Sequence, residues 1–351
     1  MPSNENRPKT YCMNAKPATE NILSTSEAPL DRLVQMLDDD MKAVNTKIMD
    51  NLESGVKLIP QLASYLIASG GKRIRPLLTL AATQMYDGEI VRAHSLATAV
   101  EFIHTATLLH DDVIDESQMR RGQDAANLVF GNQATILVGD FLFARAFQLM
   151  TADNDLRVLK TLSDASVIIT EGEVQQLSLA GNIDTEMEQY FSVIEAKTAA
   201  LFAAACEVGP LIAGKDDNHA KALRGYGHHL GIAFQIADDA LDYAADENTL
   251  GKVVGDDFRE GKMTAPVIIA LKEAGEDERA FWKRMFSENN FKDEDLKTAQ
   301  NYLNTHDAIE KTLTLSKTHS EKAKGALDQA PQGKFKDTLI DIADYVVNRE
   351  T

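Results

Sequence analysis

From residue 31 onward, apolar side chains recur every three or four positions through almost the whole chain. That period is the signature of helices that bury one face, and it leaves little room for strands. Leu33, Leu37, Met41, Val44, Ile48 and Leu52 open the pattern, and Gly55 and Pro60 punctuate it. A short helix then runs to Gly70-Gly71, and Pro76 opens another, near a helix start where its missing N–H is tolerated. Similar stripes cover roughly 91–113, 133–150, 155–180, 185–208 and 219–245, then 263–274, 294–303, 306–326 and 335–348. Alternating β-branched runs and Asn-Gly hairpins are nearly absent. About a dozen helices joined by short loops predict an all-α fold, a single large helical bundle over residues 29–351. No composition shift marks a boundary inside it, although 351 residues would accommodate two domains. Residues 1–28 are polar and read as a flexible tail. They lack the apolar stretch of a secretory signal, and a single Arg among three Glu does not resemble a mitochondrial transit peptide.

One short pattern occurs twice: Asp111-Asp112-Val113-Ile114-Asp115 and Asp238-Asp239-Ala240-Leu241-Asp242. The outer aspartates of each copy are four residues apart and share a helix face. Like charges at that spacing destabilise a helix unless something neutralises them. Each copy also follows an apolar stretch, Phe102 to Leu109 and Leu230 to Ala237. A lone cluster of this kind is usually a solvated helix end; a duplicated one, each time after a buried helix, points to a divalent cation. Oxygen-only ligands without nearby Cys favour Mg²⁺, which keeps part of its shell for water and substrate phosphate.

Cations gather at a few places in an otherwise acidic chain, whose 36 Lys and Arg against 54 Asp and Glu give a net charge of −18. That balance argues against nucleic-acid binding but not against small anionic ligands. Gly70-Gly71-Lys72-Arg73-Ile74-Arg75-Pro76 sets three cations in a glycine-started turn, and Arg120-Arg121-Gly122 follows the first aspartate motif. Arg matches phosphate with a planar fork and Lys with a point charge. Two basic clusters flanking a metal site therefore predict two phosphorylated substrates. Lys252 and Lys262 lie in a glycine-bearing loop after the second motif. This is not a phosphate-binding P-loop: the spacing from Gly255 to Gly261 is one too long, Met263 replaces the Ser/Thr, and no strand precedes it. Lys197-Thr198 lies in an Ala-rich helix, where a lone Lys more often snorkels.

These residues together resemble the trans-isoprenyl diphosphate synthase family. The resemblance runs from about residue 30 to near the end of the chain. It rests on Gly70 to Pro76, Leu108 to Asp115, Met119 to Gly122, Lys197-Thr198 and Phe234 to Asp242. Within the family the likeness is to bacterial long-chain octaprenyl and decaprenyl diphosphate synthases, supported by Val138 to Leu149. The resemblance implies the isoprenoid synthase fold around a central active-site cavity. It also implies head-to-tail condensation: an allylic diphosphate ionises, isopentenyl diphosphate attacks the cation, and a proton leaves to the departing pyrophosphate.

By the same resemblance Asp111, Asp115 and Asp238 are metal ligands, and Asp112, Asp239 and Asp242 support them or bind through water. Three Mg²⁺ ions are implied with both substrates bound. Arg120, Lys197, Gln235 and Lys252 would hold the allylic diphosphate, with Lys262 nearby. Lys72, Arg75, His104 and Arg121 would hold isopentenyl diphosphate. Thr198 and Gln235 would polarise the region of the cation. A homodimer is implied, with the product delivered to a membrane.

Ala106 and Thr107, five and four residues before Asp111, are small, whereas a large aromatic there would resemble short-chain farnesyl synthases. The expectation is an open tunnel at their level, floored by Met150 or Leu162, and a C40 to C50 product for a quinone side chain. A farnesyl or geranylgeranyl synthase is the shorter-chain alternative. A terpene cyclase would need neither the Gly70 to Pro76 cluster nor a second aspartate motif, and a head-to-head synthase would space its aspartates differently. A non-catalytic partner subunit typically loses aspartates, and all are present here. Two cysteines, Cys12 and Cys206, cannot make a disulfide framework and form no metal-ligand spacing, and a reducing cytoplasm is the expected location. The apolar runs carry polar residues, so no membrane span is expected.

Overall fold

A computed structural model describes residues 28–68, 70–120, 122–244, 255–288, 290–292 and 294–349. The polar tail up to residue 27, Cys12, Arg121 and Lys252 lie outside the described residues. The described residues are mostly helical, as the 3.6-residue periodicity predicts. The first half comprises α1 (Pro29–Met36), α2 (Asp38–Leu52), α3 (Leu58–Ala68), α4 (Ile74–Met85), α5 (Ile90–Ile114), α6 (Ala126–Phe130), α7 (Asn132–Ala152) and α8 (Leu156–Leu179). Then come α9 (Met187–Ile194), a π-helical turn (Glu195–Ala199), α10 (Ala200–Ile212) and α11 (Asp217–Ala244). The remainder is α12 (Asp256–Arg259), α13 (Ala265–Glu273), α14 (Glu276–Phe286), α15 (Asp295–Thr305), α16 (Ala308–Ala326) and α17 (Lys334–Asn348). Among the described residues the only sheet is a two-stranded ribbon, β1 (Met119–Arg120) against β2 (Gln123–Asp124), antiparallel and turned at Gly122.

Three differences from the sequence reading have physical causes. The first stripe breaks at Leu37, which leaves helical geometry between α1 and α2 while its side chain stays buried. The stripe at 185–208 is interrupted by the π-turn and continues to Ile212, with Pro210 inside α10. The third difference is α14, which the sequence reading passes over because its first turn is Glu276-Asp277-Glu278. Its apolar face is nonetheless regular, and Trp282, Met285 and Phe286 anchor a second core with Phe258 and Leu271.

The main core joins α4, α5, α7, α8, α10 and α11. α10 and α11 approach backbone to backbone. A Cβ on Gly227 of α11 would stand 2.3 Å from the Phe202 carbonyl oxygen, and one on Gly231 would stand 2.7 Å from Ala199 Cα. Such contact is open only to glycine and fixes α11 against the segment bearing Lys197 and Thr198.

α7 differs from expectation in another way, being long and apolar enough to cross a membrane despite Asp140 and Arg145. Val138, Leu142, Ala146 and Met150 are buried in the bundle, whereas Ile136, Leu137 and Phe147 face outward. α8 likewise exposes Leu156, Val167, Val174 and Leu177.

Candidate active site

The two aspartate motifs end two long helices, α5 and α11. A cavity of about 400 Å³ lies beside them, and Asp115 from the first motif and Asp239 from the second both line it. Glu173, Lys197, Thr198, Gln235, Asp257 and Lys262 complete its polar wall. A larger groove of about 630 Å³ lies between α8, α10 and α11, floored by alanines and carrying none of the motif residues.

Three of the four outer aspartates meet a cation. Lys197 Nζ stands 3.5 Å from Asp111 and 2.8 Å from Glu173; Lys262 Nζ stands 3.2 Å from Asp115 and also pairs with Glu260. Arg349, just past α17, places Nη2 3.0 Å from Asp238 and its guanidinium 4.1 Å over the Phe234 ring. Burial pulls the Lys262 ammonium down, but Asp257, Asp115 and Glu260 outweigh it and its pKa is raised.

The inner aspartates are held by the protein. Asp112 is fully buried, with Arg120 Nε donating to it at 2.5 Å. Asp239 accepts from the Tyr190 hydroxyl at 2.6 Å and from Gln235 Nε2 at 2.8 Å. Asp242, the outer aspartate that closes the second motif, accepts the backbone N–H groups of Asp256 and Asp257 at the start of α12. Thr198 Oγ1 donates to Gln235 Oε1 at 2.8 Å.

Negative charge is crowded here. Burial raises the Asp112 carboxyl, with Asp111 adding to it against Arg120. Burial and repulsion from Asp238 and Asp242 push Asp239 up to about 7, against the donors Tyr190 and Gln235. Asp242 rises to about 6, again chiefly by burial. Burial with Asp239 and Asp242 raises Asp257, and burial with Asp111 raises Glu173. The Oδ2 of Asp112 is buried without a hydrogen-bond partner. Among the described residues no three acidic, His or Cys side chains converge into a ready-made metal cage. An all-oxygen site with excess negative charge and an incomplete cage fits Mg²⁺, which takes one or two carboxylates and completes its shell with water and phosphate.

The diphosphate candidates are divided. Arg75, on α4, is half-buried with its guanidinium 4.5 Å over the Phe202 ring, and His104, on α5, is half-buried. Lys72 is exposed before α4, beside Arg73 in the left-handed conformation that turns the chain. Arg120, expected on the allylic diphosphate, is engaged with Asp112 in this structure. The chain-length candidates lie in the packed interior. Ala106, Met150 and Leu162 are wholly buried in one continuous core, Thr107 is half-buried with its hydroxyl on the His104 carbonyl, and none of the four lines the cavity.

Sequence reasoning passed over Glu173, Tyr190, Asp257 and Arg349. Glu173 was signalled only by Gly172, where α8 touches the π-turn so closely that a Cβ would lie 2.6 Å from Ala196 Cβ. Asp257 and Arg349 belong to other elements and carry no local pattern.

The helical bundle and its paired aspartate faces beside a cation-lined cavity define an enzyme built for metal-assisted chemistry on a diphosphate. The polyprenyl synthetase family model matches residues 56–303, and the chain belongs to that family of prenyltransferases. It is 42% identical over 320 residues to an octaprenyl diphosphate synthase of Haemophilus influenzae, covering 91% of this chain and 97% of the relative. Its fold superposes on a decaprenyl diphosphate synthase from Rhodobacter capsulatus with a TM-score of 0.87 at 48% identity, covering 92% of this chain and 100% of that one. A polyprenyl synthase from Caulobacter crescentus, solved with calcium and isoprenyl diphosphate, gives 0.88 at 47% identity, with 92% and 98% covered.

Proposed function

We propose that the chain is a long-chain trans-polyprenyl diphosphate synthase, adding isopentenyl diphosphate units to an allylic diphosphate until the product reaches C40 to C50. The observation that carries this reading is a cavity bordered by both aspartate motifs and lined by Lys197 and Lys262, which pair with Asp111 and Asp115. Asp111, Asp115 and Asp238 would hold Mg²⁺, three ions with both substrates in place. Mg²⁺ bound there supplies positive charge for the departing pyrophosphate. Lys197 and Lys262, which pair with Asp111 and Asp115, are within reach of the same cavity and would hold the allylic diphosphate. Lys252 and Arg120 are proposed to join them. Asp112, Asp239 and Asp242 act as supports, which accords with their protein donors. Lys72, Arg75, His104 and Arg121 form the proposed isopentenyl diphosphate site. Thr198 and Gln235 face the reacting carbons, where an oxygen lone pair stabilises a cation.

The growing tail is proposed to part the core at Ala106 and Thr107 and to advance toward Met150 and Leu162. These residues share one apolar cluster, which supports that path. The outward apolar rows of α7 and α8 support a homodimer. A soluble, cytoplasmic location and delivery of the product to a membrane complete the reading. The test incubates the purified protein with Mg²⁺, farnesyl diphosphate and isopentenyl diphosphate, and resolves the dephosphorylated products by thin-layer chromatography. C40 to C50 alcohols are expected. Products ending at C15 to C20, cyclic hydrocarbons, or turnover only with a second chain would each overturn the reading.

A further inference from the structure

Tyr190 lies on α9, 4% exposed, and its ring packs with Ile194, Ile232 and Ile236. Its hydroxyl donates to Asp239 Oδ2 at 2.6 Å, joining α9 to α11 across 49 residues of sequence. The other Asp239 oxygen accepts from Gln235 Nε2. Because the Gln235 amide spends its N–H on Asp239, its carbonyl is turned toward Thr198, and the Thr198 hydroxyl donates there. The chain of donors therefore has one direction, from Thr198 through Gln235 into Asp239, with Tyr190 closing the far side. A hydroxyl whose proton is committed inward presents its lone pairs outward, and Thr198 lines the cavity. If the direction reversed, Thr198 would aim its proton at the reaction centre and repel positive charge.

We propose that Tyr190 is a positioning residue that pins the Asp239 carboxylate, keeps Gln235 aligned with Thr198 and so holds the Thr198 oxygen lone pairs toward the developing allylic cation. Tyr190 borders the same cavity, but its hydroxyl is committed to Asp239; the inference rests on the prenyl synthase activity. A carboxylate only accepts, so Asp239 draws the Gln235 N–H inward; with the Tyr190 donor removed, it can rotate about its own bond and carry the amide out of line with Thr198. With Tyr190 in place both oxygens are occupied by donors, so Gln235 is held with its N–H inward.

The test is a double-mutant cycle in single-turnover kinetics with saturating Mg²⁺. Tyr190→Phe removes one oxygen and leaves the ring packing. It should lower kcat by roughly tenfold or more while leaving KM for both diphosphates within about twofold, because the phosphate contacts are untouched. The loss should persist when Thr198 is replaced by Ser, which keeps the hydroxyl, and vanish when Thr198 is replaced by Val. An equal loss in the Thr198→Val enzyme would overturn the relay and leave Tyr190 as a support of Asp239 alone. A folded Tyr190→Phe enzyme with unchanged kcat would overturn the proposal outright. If Tyr190→Phe melts below assay temperature, 3-fluorotyrosine at position 190 perturbs the same donor in place. Its altered O–H acidity must then change kcat in the Thr198 enzyme and not in the Thr198→Val enzyme; any other pattern rejects the proposal. Absence of all prenyl transfer in the wild-type protein would instead reject the activity on which the inference stands.

Discussion

Gly227→Ala probes the contact that sets the site's dimensions. The new methyl carbon would meet the Phe202 carbonyl oxygen at 2.3 Å, its carbon at 2.7 Å and Ala203 Cα at 2.8 Å. All three neighbours belong to the body of a helix, so no side chain can swing aside. Restoring ordinary contact requires α10 and α11 to separate by about 1 Å, in an interior packed too densely to absorb it. Overpacking of this kind costs about 3 kcal/mol at its upper end. Alanine's better helix propensity returns about 1 kcal/mol. The net expectation is about 2 kcal/mol of lost stability, a fall of several degrees in Tm. Activity should fall further than stability, because the same shift displaces α11, with Gln235 and Asp238, from the turn carrying Lys197 and Thr198. Gly225→Ala is the control: its Cβ would meet only Ala326 Cβ at 3.4 Å, so the variant should be neutral or gain up to about 1 kcal/mol. Differential scanning calorimetry and steady-state turnover on the three proteins decide the matter. A Gly227→Ala protein as stable and active as the parent would refute the argument that this backbone contact is rigid.

Replacing Asp111 or Asp238 by Ala should reduce turnover by orders of magnitude while lowering Tm little, because each loses a ligand yet relieves like-charge crowding; near-normal activity at limiting Mg²⁺ would count against the metal assignment. Lys197→Ala should act on the allylic substrate and Arg75→Ala on isopentenyl diphosphate, each by roughly 1.5–3 kcal/mol for a lost charge-assisted contact; identical effects of both on both substrates would dissolve the two-site division. Ala106→Phe should truncate products to about C15 to C20 and, because Ala106 is fully packed, lower stability by about 1–3 kcal/mol; full-length products from a folded variant would place the tail elsewhere. Asp239 and Asp242 hold their protons up to about pH 7 and 6, so their stabilisation of the metal-free fold is complete below about pH 4 and is lost as pH rises through those values. His229 and His319, kept neutral by burial down to about pH 4, oppose this by losing stability as pH falls from about 6.5. The unfolding free energy of the metal-free protein minus that of Asp239→Asn should therefore fall between pH 4 and 8, by on the order of 2 kcal/mol; a flat difference would contradict the raised carboxyl.

Much of this architecture is legible in the chain because helices write their buried faces into the sequence at a fixed period. α5, α7, α8 and α11 fall within a few residues of their apolar stripes. Both aspartate motifs are equally legible, since their spacing is local. Long-range partners are not. Nothing near Asp238 announces Arg349, and nothing near Asp239 announces Tyr190, because each pair is formed by the packing of separate helices. The Arg120–Asp112 pair is illegible for a similar reason: the ribbon β1–β2 folds Arg120 back onto the buried Asp112, a contact set by tertiary placement. Residue size alone does not tell a tunnel wall from a close helix contact: Ala106 is small and fully buried, and both uses favour a small side chain.

The π-helical turn at Glu195–Ala199 has a consequence for how such a site can change over generations. A π-turn accommodates one extra residue in a helix without breaking it. Residues on either side are thereby rotated out of phase by about one residue's 100°. Upstream of it Tyr190 and Ile194 face one cluster; downstream the nearly all-apolar α10 is packed into the main core. Lys197 and Thr198 sit inside the slipped turn, so their direction follows neither neighbour's face. Chemistry and packing are thus given separate phases on one continuous rod. Deleting a single residue there would regularise the helix yet swing the two reactive side chains away from the aspartates, so the irregularity itself is what selection must preserve.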